Sequence, residues 1–328
     1  MTTRTVEIAQ QFAHIFRCPK SKSDLHSSDA TLKTINGQGV YPVTEDGIVL
    51  FAATPHTSDS QRQQEHYDNI ASVYLETLSY PHTEEYWTYV NDALLNAIGS
   101  KPLGLMGEIC CGGGEAIALL KDRADACIGI DISENMLHSA RRSHPEPTIG
   151  FAQGDATNMP IKDNRFDHIV MLGGIHHVSD RPALFSEISR VLKPGGRFIW
   201  REPVSDFFLW RWLRSIIYRL SPYLDHETER PLIWHETVPV LEAAGFTVTS
   251  WKTYGFFGFC LFVNSDVLVF NRSFRFIPKI RRVVRIFAAL DDWITSRPVL
   301  SHAGLQVIGI AEKPLSGGLS SSLVTGKG

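Results

Sequence analysis

LMGEICCGGGEAIALL, residues 105–120, is the stretch that decides the fold. A short apolar run ends in Gly112-Gly113-Gly114, and apolar residues then return at helical spacing, so the segment reads strand, tight loop, helix. The same grammar continues outward. CIGID precedes ENMLHSARR, TIGFAQG follows, FDHIVML precedes ALFSEISRVL, and RFIWRE comes next. Near-continuous apolar strands alternating with amphipathic helices describe a parallel sheet covered on both faces. Lys193-Pro194-Gly195-Gly196 closes one helix and turns the chain into the next strand. After Glu202 the regularity lapses, then TVPVLEAAG and FTVTSWKTY resume it, and QVIGIAE at 306–312 is the last strand. The expectation is an α/β, Rossmann-like sheet of seven strands.

The rest of the chain sets bounds on this reading. Its 328 residues exceed the roughly 100–200 of one domain, so a second unit is expected. Residues 18–53 alternate short apolar pairs with the turn signals Asn36-Gly37 and Asp46-Gly47, which suggests a small β-rich module. The division expected is a module and polar linker over 1–65, the main domain over 66–314, and a disordered tail over 315–328. Before the glycine loop, Ile70, Val73 and Tyr74, then Tyr86, Val90, Leu94 and Ile98, recur at helical spacing. A net charge of −3 argues against nucleic-acid binding through overall basicity. Five scattered cysteines suit a reducing compartment better than a disulfide framework. The opening residues do not read as a signal peptide, and no apolar run reaches membrane-spanning length. A cytoplasmic location is expected.

Glycines at a strand–helix turn let a ligand approach the backbone. The second strand ends at Asp131, where a carboxylate can accept hydrogen bonds from both ribose hydroxyls. Gly154-Asp155-Ala156 brings another acid to the same edge of the sheet, the edge where open parallel sheets bind ligands. An adenosine-containing ligand follows, and both NAD and S-adenosylmethionine (SAM) contain one. The loop lacks a full G-x-G-x-x-G fingerprint and has no basic cluster for a pyrophosphate. It is flanked instead by Glu108 and Glu115, which suit a ligand carrying an ammonium and a sulfonium.

Taken together these residues resemble the class I SAM-dependent methyltransferases, in the branch of ubiquinone/menaquinone-type and small-molecule enzymes. The resemblance runs from about Tyr67 to Lys252 and resumes at the last strand. Glu108, Gly112 and Gly114 match the family's first motif, Asp131 its second acid and Asp155 its adenine-side acid. GGIHHV at 173–178 and VLKPGG at 191–196 match later phrases. One departure is Cys110, which stands where the family has its first loop glycine and narrows the approach to the methionine end of the cofactor. The resemblance implies SAM as cofactor, S-adenosylhomocysteine as product, and contacts from Tyr67, Tyr74, Glu108, Cys110, Gly112, Gly114, Asp131, Ile132, Met136, Asp155, Ala156, Leu172 and Gly173.

If the acceptor is a hydroxyl, a base must remove its proton, and histidine suits that work. His176 and His177 follow the fourth strand where the family's cleft opens, with His176 the stronger choice. Glu202, ending the fifth strand, is the next candidate; its alternative is a solvated acid or one paired with Arg201. Asp163, Asp167 and Asp180 read as turn or capping residues, Asp180 as the N-cap of RPALFSE.

CPKSKSDL followed by GVYPVTEDGIVLF is similar to a small zinc-ribbon-related module. Ser21 stands where the zinc version has its second cysteine and no second pair follows, so no metal site is expected. Substrate choice should reside in two aromatic insertions, 203–234 and 255–305, expected to form a helical cap. In the second, Ile277, Ile280, Val283, Val284, Phe287 and Leu290 share one helical face, and Lys279, Arg281, Arg282 and Arg285 gather on the other. Such a helix can cover the cleft, or lie on an anionic membrane through residues 272–290. A small, apolar or lipid-linked acceptor fits either, with oxygen the first choice of methylated atom. The alternatives are carbon or nitrogen transfer, a silent SAM-binding adaptor and, more distantly, a nicotinamide oxidoreductase.

Overall fold

The computed structural model describes residues 11–28, 30–51, 79–212, 230–263 and 269–315. The N-terminal module is a three-stranded antiparallel sheet of β1 (Leu25–Ser28), β2 (Thr31–Thr34) and β3 (Val40–Pro42). Thr34 and Gly39 close the turn between β2 and β3 around Asn36-Gly37. The two residues of β4 (Val49–Leu50) then leave the module and join the main sheet.

All seven strands read from the sequence are present: β5 (Leu105–Ile109), β6 (Ala126–Asp131), β7 (Ile149–Gln153), β8 (Phe166–Leu172), β9 (Leu192–Pro203), β10 (Thr247–Tyr254) and β11 (Gln306–Glu312). The sheet nevertheless has eight, in the order β10-β11-β9-β8-β5-β6-β7-β4. The expectation of seven missed β4 because two residues carry no periodicity. Val49 and Leu50 pair in parallel with Ala152 and Gln153, closing the edge beyond β7. The module also shares a core with the main domain. Phe12, Ile15, Phe16, Leu32, Tyr41 and Phe51 pack in one cluster with Ile128, Ile130, Met159 and Ile161. Residues 15–17 pair with 160–162, Lys162 N–H donating to Ile15 O and Arg17 N–H to Pro160 O. Buried Cys18 accepts from Ser21 N–H and lies 2.9 Å from the Tyr41 hydroxyl. The expected boundary at 65, the linker 54–65 and all of the tail beyond Leu315 lie outside the described residues.

The helices that accompany the sheet include α1 (Pro81–Ile98), α2 (Glu115–Leu120), α3 (Glu134–Ser143), α4 (Arg181–Val191), α5 (Trp234–Ala243), α6 (Phe257–Phe262) and α7 (Ile280–Thr295). The spacing read for α1 holds, since Tyr86, Val90, Leu94 and Ile98 are all buried. Ser133 caps α3 through Met136 N–H, and Asp180 caps α4 through Ala183 N–H as its position implied. Asp163 instead pairs with Arg17 and Arg190, while Asp167 accepts from Leu105 N–H and Lys193.

Strand direction places the insertions. β11 runs antiparallel to β9 and to β10, with Gln306 opposite both Pro203 and Tyr254. The chain therefore leaves β9 at 203 and β10 at 254, and re-enters β11 at 306, all at the edge where the glycine loop lies. Both insertions rise from one edge of the sheet.

Along β11, Gly309 faces Trp200 of β9. A Cβ there would lie 2.1 Å from the indole, and Trp200 is fully buried. Gly309→Ala is expected to cost about 3 kcal/mol through overpacking. Chemical denaturation would read this as an earlier midpoint with unchanged slope.

Candidate active site

The glycine loop is built by backbone that ordinary residues avoid. Cys110, Gly112 and Gly114 all have positive φ, at 52°, 48° and 84°. Gly114 is the N-cap of α2, and a Cβ on it would meet the His144 ring at 2.9 Å. Cys110 holds a left-handed conformation without glycine's freedom. Its side chain packs beside Gly174, where a Cβ would stand 2.7 Å from that of Cys110. Room for this side chain is made by the bare backbone of Gly174 on the neighbouring loop. Burial pushes the Cys110 and Cys111 thiols well up, so both stay protonated.

Glu108, 1% exposed, accepts from Ala116 and Ile117 N–H at 2.8 and 2.9 Å. These are unpaired donors of the first turn of α2, so this acid first fixes the helix to its strand. Burial pushes its pKa up to about 8, against the pull of those two donors. Asp131 holds the loop from the other side, accepting from Gly112 N–H at 2.8 Å and Ser133 N–H at 2.9 Å. Asp155 accepts from the Thr157 N–H and hydroxyl, which ties the turn after β7.

Above these loops opens a cavity of about 580 Å³. Glu108, Cys110, Gly112, Gly114, Asp131, Ile132, Met136, Asp155, Ala156, Leu172 and Gly173 all line it, together with His177. Tyr67 and Tyr74 lie outside the described residues. The sequence reading missed His144, Thr157 and Ser179 in the wall. His144 follows the end of α3 and reaches the cavity only because Gly114 has no side chain, a contact that no spacing announces.

The cavity wall includes His177 but not His176 or Glu202. Glu202 is fully buried and accepts from Gly174, Ile175 and His176 N–H at 2.7, 2.8 and 3.4 Å. Its second oxygen also lies 2.8 Å from His176 Nδ1. Burial pushes its pKa up to about 7. Glu202 is therefore a positioning residue for the loop after β8, and His176 is bound into it. Arg201, on the opposite face of β9, pairs with Glu115 at 2.8 Å and stacks 4.4 Å from the Trp87 ring centre. His177 stacks on His176 with ring centres 3.9 Å apart and is the histidine of the pair at the cavity wall.

The charge of the wall decides what it can hold. Glu108, Glu115, Asp131, Asp155 and Asp180 line it, and no lysine or arginine does among the described residues. A pyrophosphate would find no lysine or arginine in this wall and would meet Asp131, Asp155 and Asp180, whereas a cationic ligand finds complementary charge. Gly113 and Gly173 present bare backbone, with nothing within 4 Å of where a side chain would be. Size, glycine cradle and charge fit an adenosine ligand carrying positive groups.

Residues 107–200, which contain the glycine loop, match the methyltransferase domain family. This stretch is a methyltransferase domain of the class I, SAM-dependent superfamily. It is similar to the quinone branch. Demethylmenaquinone methyltransferase of Staphylococcus saprophyticus is 39% identical over 108 residues, covering 32% of this chain and 45% of that protein. 2-Phytyl-1,4-naphtoquinone methyltransferase of Nostoc punctiforme is 36% identical over 97 residues, covering 27% and 42%. The matched stretch spans less than half the length of these relatives. A SAM-dependent methyltransferase of Thermotoga maritima shares the fold, with a TM-score of 0.51 at 20% identity, covering 76% of this chain and 99% of that one. The matched stretch ends at Trp200, inside β9, and the insertions at 203–234 and 255–305 lie beyond it.

Proposed function

We propose that this chain is a SAM-dependent methyltransferase acting on an apolar, quinol-like aromatic acceptor. The observation that carries the reading is the glycine-floored cavity with five acidic side chains and no lysine or arginine in its described wall. SAM supplies a methyl group made electrophilic by its sulfonium. Asp131 would receive the ribose hydroxyls, Asp155 the adenine side, and the acids about the loop the ammonium. Cys110, Met136 and Leu172 give the site an apolar side that excludes water. The protein's main contribution is alignment, which can supply several kcal/mol of the barrier.

Transfer to a hydroxyl oxygen needs a base that takes its proton. With His176 held in the loop, the base at the wall is His177, and transfer to oxygen would run through it. A second reading, transfer to a ring carbon, is favoured by that displacement and by the naphthoquinone names of the relatives. A reduced quinone ring is electron-rich at the carbon beside its hydroxyl without any protein base in contact. Methyl-¹³C SAM with a reduced prenyl naphthoquinone separates the two, since an aryl methyl and a methoxy carbon resonate in different regions. A methoxy product lost in His177→Ala supports oxygen. An aryl methyl supports carbon, and no product overturns the acceptor assignment.

The raised pKa of Glu108 gives a pH signature. Burial disfavours its carboxylate, and a bound cation favours it, so binding drives off a proton. SAM affinity is expected to rise with pH from 6 to 7.5, where the ligand's ammonium stays charged, and to flatten near the carboxyl's value of about 8. Glu108→Gln should abolish the slope in a calorimetric titration; a slope unchanged in that variant contradicts the assignment.

A further inference from the structure

The second insertion does not bury the helical face that its sequence suggested. Helix α7 begins at Ile280, so Ile277 and Lys279 precede it. Its buried stripe is Ile280, Val284, Ala288, Asp291, Ile294 and Thr295, packed toward α1 and α6. Val283 and Leu290, expected on the same face, are exposed at 38% and 43%. With Ile286 at 63% and Trp293 at 57% they form a second apolar stripe on the outer side of the helix. Positions 283, 286, 290 and 293 follow the three-and-four spacing of one helical face. The approach to the helix adds Phe270, Phe276 and Ile277, each more than 40% exposed.

A solvent-facing helix side normally carries charge, and four large apolar residues in register there are a contact surface rather than scatter. The surrounding charge says what kind of contact. The chain as a whole is net negative at −3. Residues 269–293 nevertheless hold six cations, Arg272, Arg275, Lys279, Arg281, Arg282 and Arg285, against two carboxylates, of which Asp291 is fully buried and Asp292 lies 3.9 Å from Lys252. Arg281 and Arg285 are tied to Glu84 and Glu85 of α1, which fixes the helix on the fold with its apolar stripe outward. Arg282 is exposed on the outer side, and Arg297 stacks on the Trp293 ring at 4.3 Å.

We propose that the outer face of α7, with the aromatic approach at 270–277, docks this protein on an anionic lipid bilayer. Apolar side chains enter the acyl boundary and the arginines meet the headgroups, the arrangement of an in-plane amphipathic helix. No described helix is long and apolar enough to cross a membrane, so the contact lies in the interface. The topology makes the surface useful, because 255–305 rises from the same edge of the sheet as the cavity. A docked enzyme would present its cap, rather than the far side of its sheet, to acceptors dissolved in the lipid. The surface does not depend on methyl transfer, and its test does not read activity.

The test is co-sedimentation of the full chain with vesicles of phosphatidylcholine alone or with one-third phosphatidylglycerol. Binding is expected only to the anionic vesicles and should fall several-fold between low and 0.5 M salt. Ile286→Asp with Trp293→Asp should lower partitioning at least about tenfold while leaving SAM binding and the melting temperature unchanged, since both side chains are exposed. Arg282→Ser should weaken the salt dependence. Absence of binding to anionic vesicles overturns the proposal. So would equal binding by the double variant, or a concentration-dependent dimer lost in that variant, which would assign the stripe to a second copy of the chain.

Discussion

Asp131→Ala is expected to weaken SAM binding by roughly a hundredfold or more, the largest functional effect of any single change in this site. Its two oxygens receive Gly112 N–H and Ser133 N–H, one on the glycine loop and one at the start of α3. Hydrogen bonds to a carboxylate contribute about 1.5–3 kcal/mol each, and the ligand's ribose adds further ones. Losing the acid therefore removes a direct partner of the ligand and the tie that sets the loop's curvature. Asp131→Asn keeps an acceptor but not the charge, and should fall between wild type and alanine. A calorimetric titration with far-UV circular dichroism separates lost affinity from lost fold. Affinity within fivefold of wild type in a folded Asp131→Ala protein would remove Asp131 from the binding site.

Asp291→Ala is expected to be the most damaging change outside the cavity. Asp291 is fully buried in α7 and accepts from the Tyr86 hydroxyl and from Phe256, Gly258 and Phe259 N–H. One carboxylate thereby joins α1, α6 and α7, and serves the first turn of α6 as an acidic cap. Alanine would leave four buried donors without a partner, at a cost of about 4 kcal/mol. In a chain of this size that corresponds to a melting temperature lower by about 8 °C. Because α6 and α7 contribute no residue to the described wall of the cavity, SAM affinity should stay within about threefold. A melting temperature within 2 °C of wild type would show that the cap does not depend on this joint.

The two acids illustrate what a sequence reveals. Asp131 was legible because it ends an apolar strand at a fixed remove from a glycine loop, and both features are local. Asp180 and the buried stripe of α1 were legible for the same reason: caps and helical periodicity are written in neighbouring residues. Asp291 was not, since its partners lie some 30 and 200 positions away. Glu202 was legible only in part. Strand position showed that it sits at the site edge, whereas its burial under three N–H groups of the loop after β8 is tertiary information. The same holds for His176 and His177, where adjacency in sequence gave no means of choosing which ring reaches the cavity. In α7 two apolar stripes merged into one in the sequence reading, because the helix begins three residues later than the apolar pattern does. Only packing against α1 and α6 separates the inward stripe from the outward one. The strand β4 escaped for a further reason: two residues are too few to show a period, and its pairing with β7 is set by the docking of the whole N-terminal module.

The central claim is that the acidic, glycine-floored cavity positions SAM for transfer to an apolar ring. The most direct measurement is incubation with methyl-labelled SAM and a reduced, unmethylated prenyl naphthoquinone, followed by separation of organic from aqueous products. The expected result is label in the organic phase, dependent on the protein and absent with Asp131→Ala. Tight SAM binding with no label in any organic product would contradict the claim.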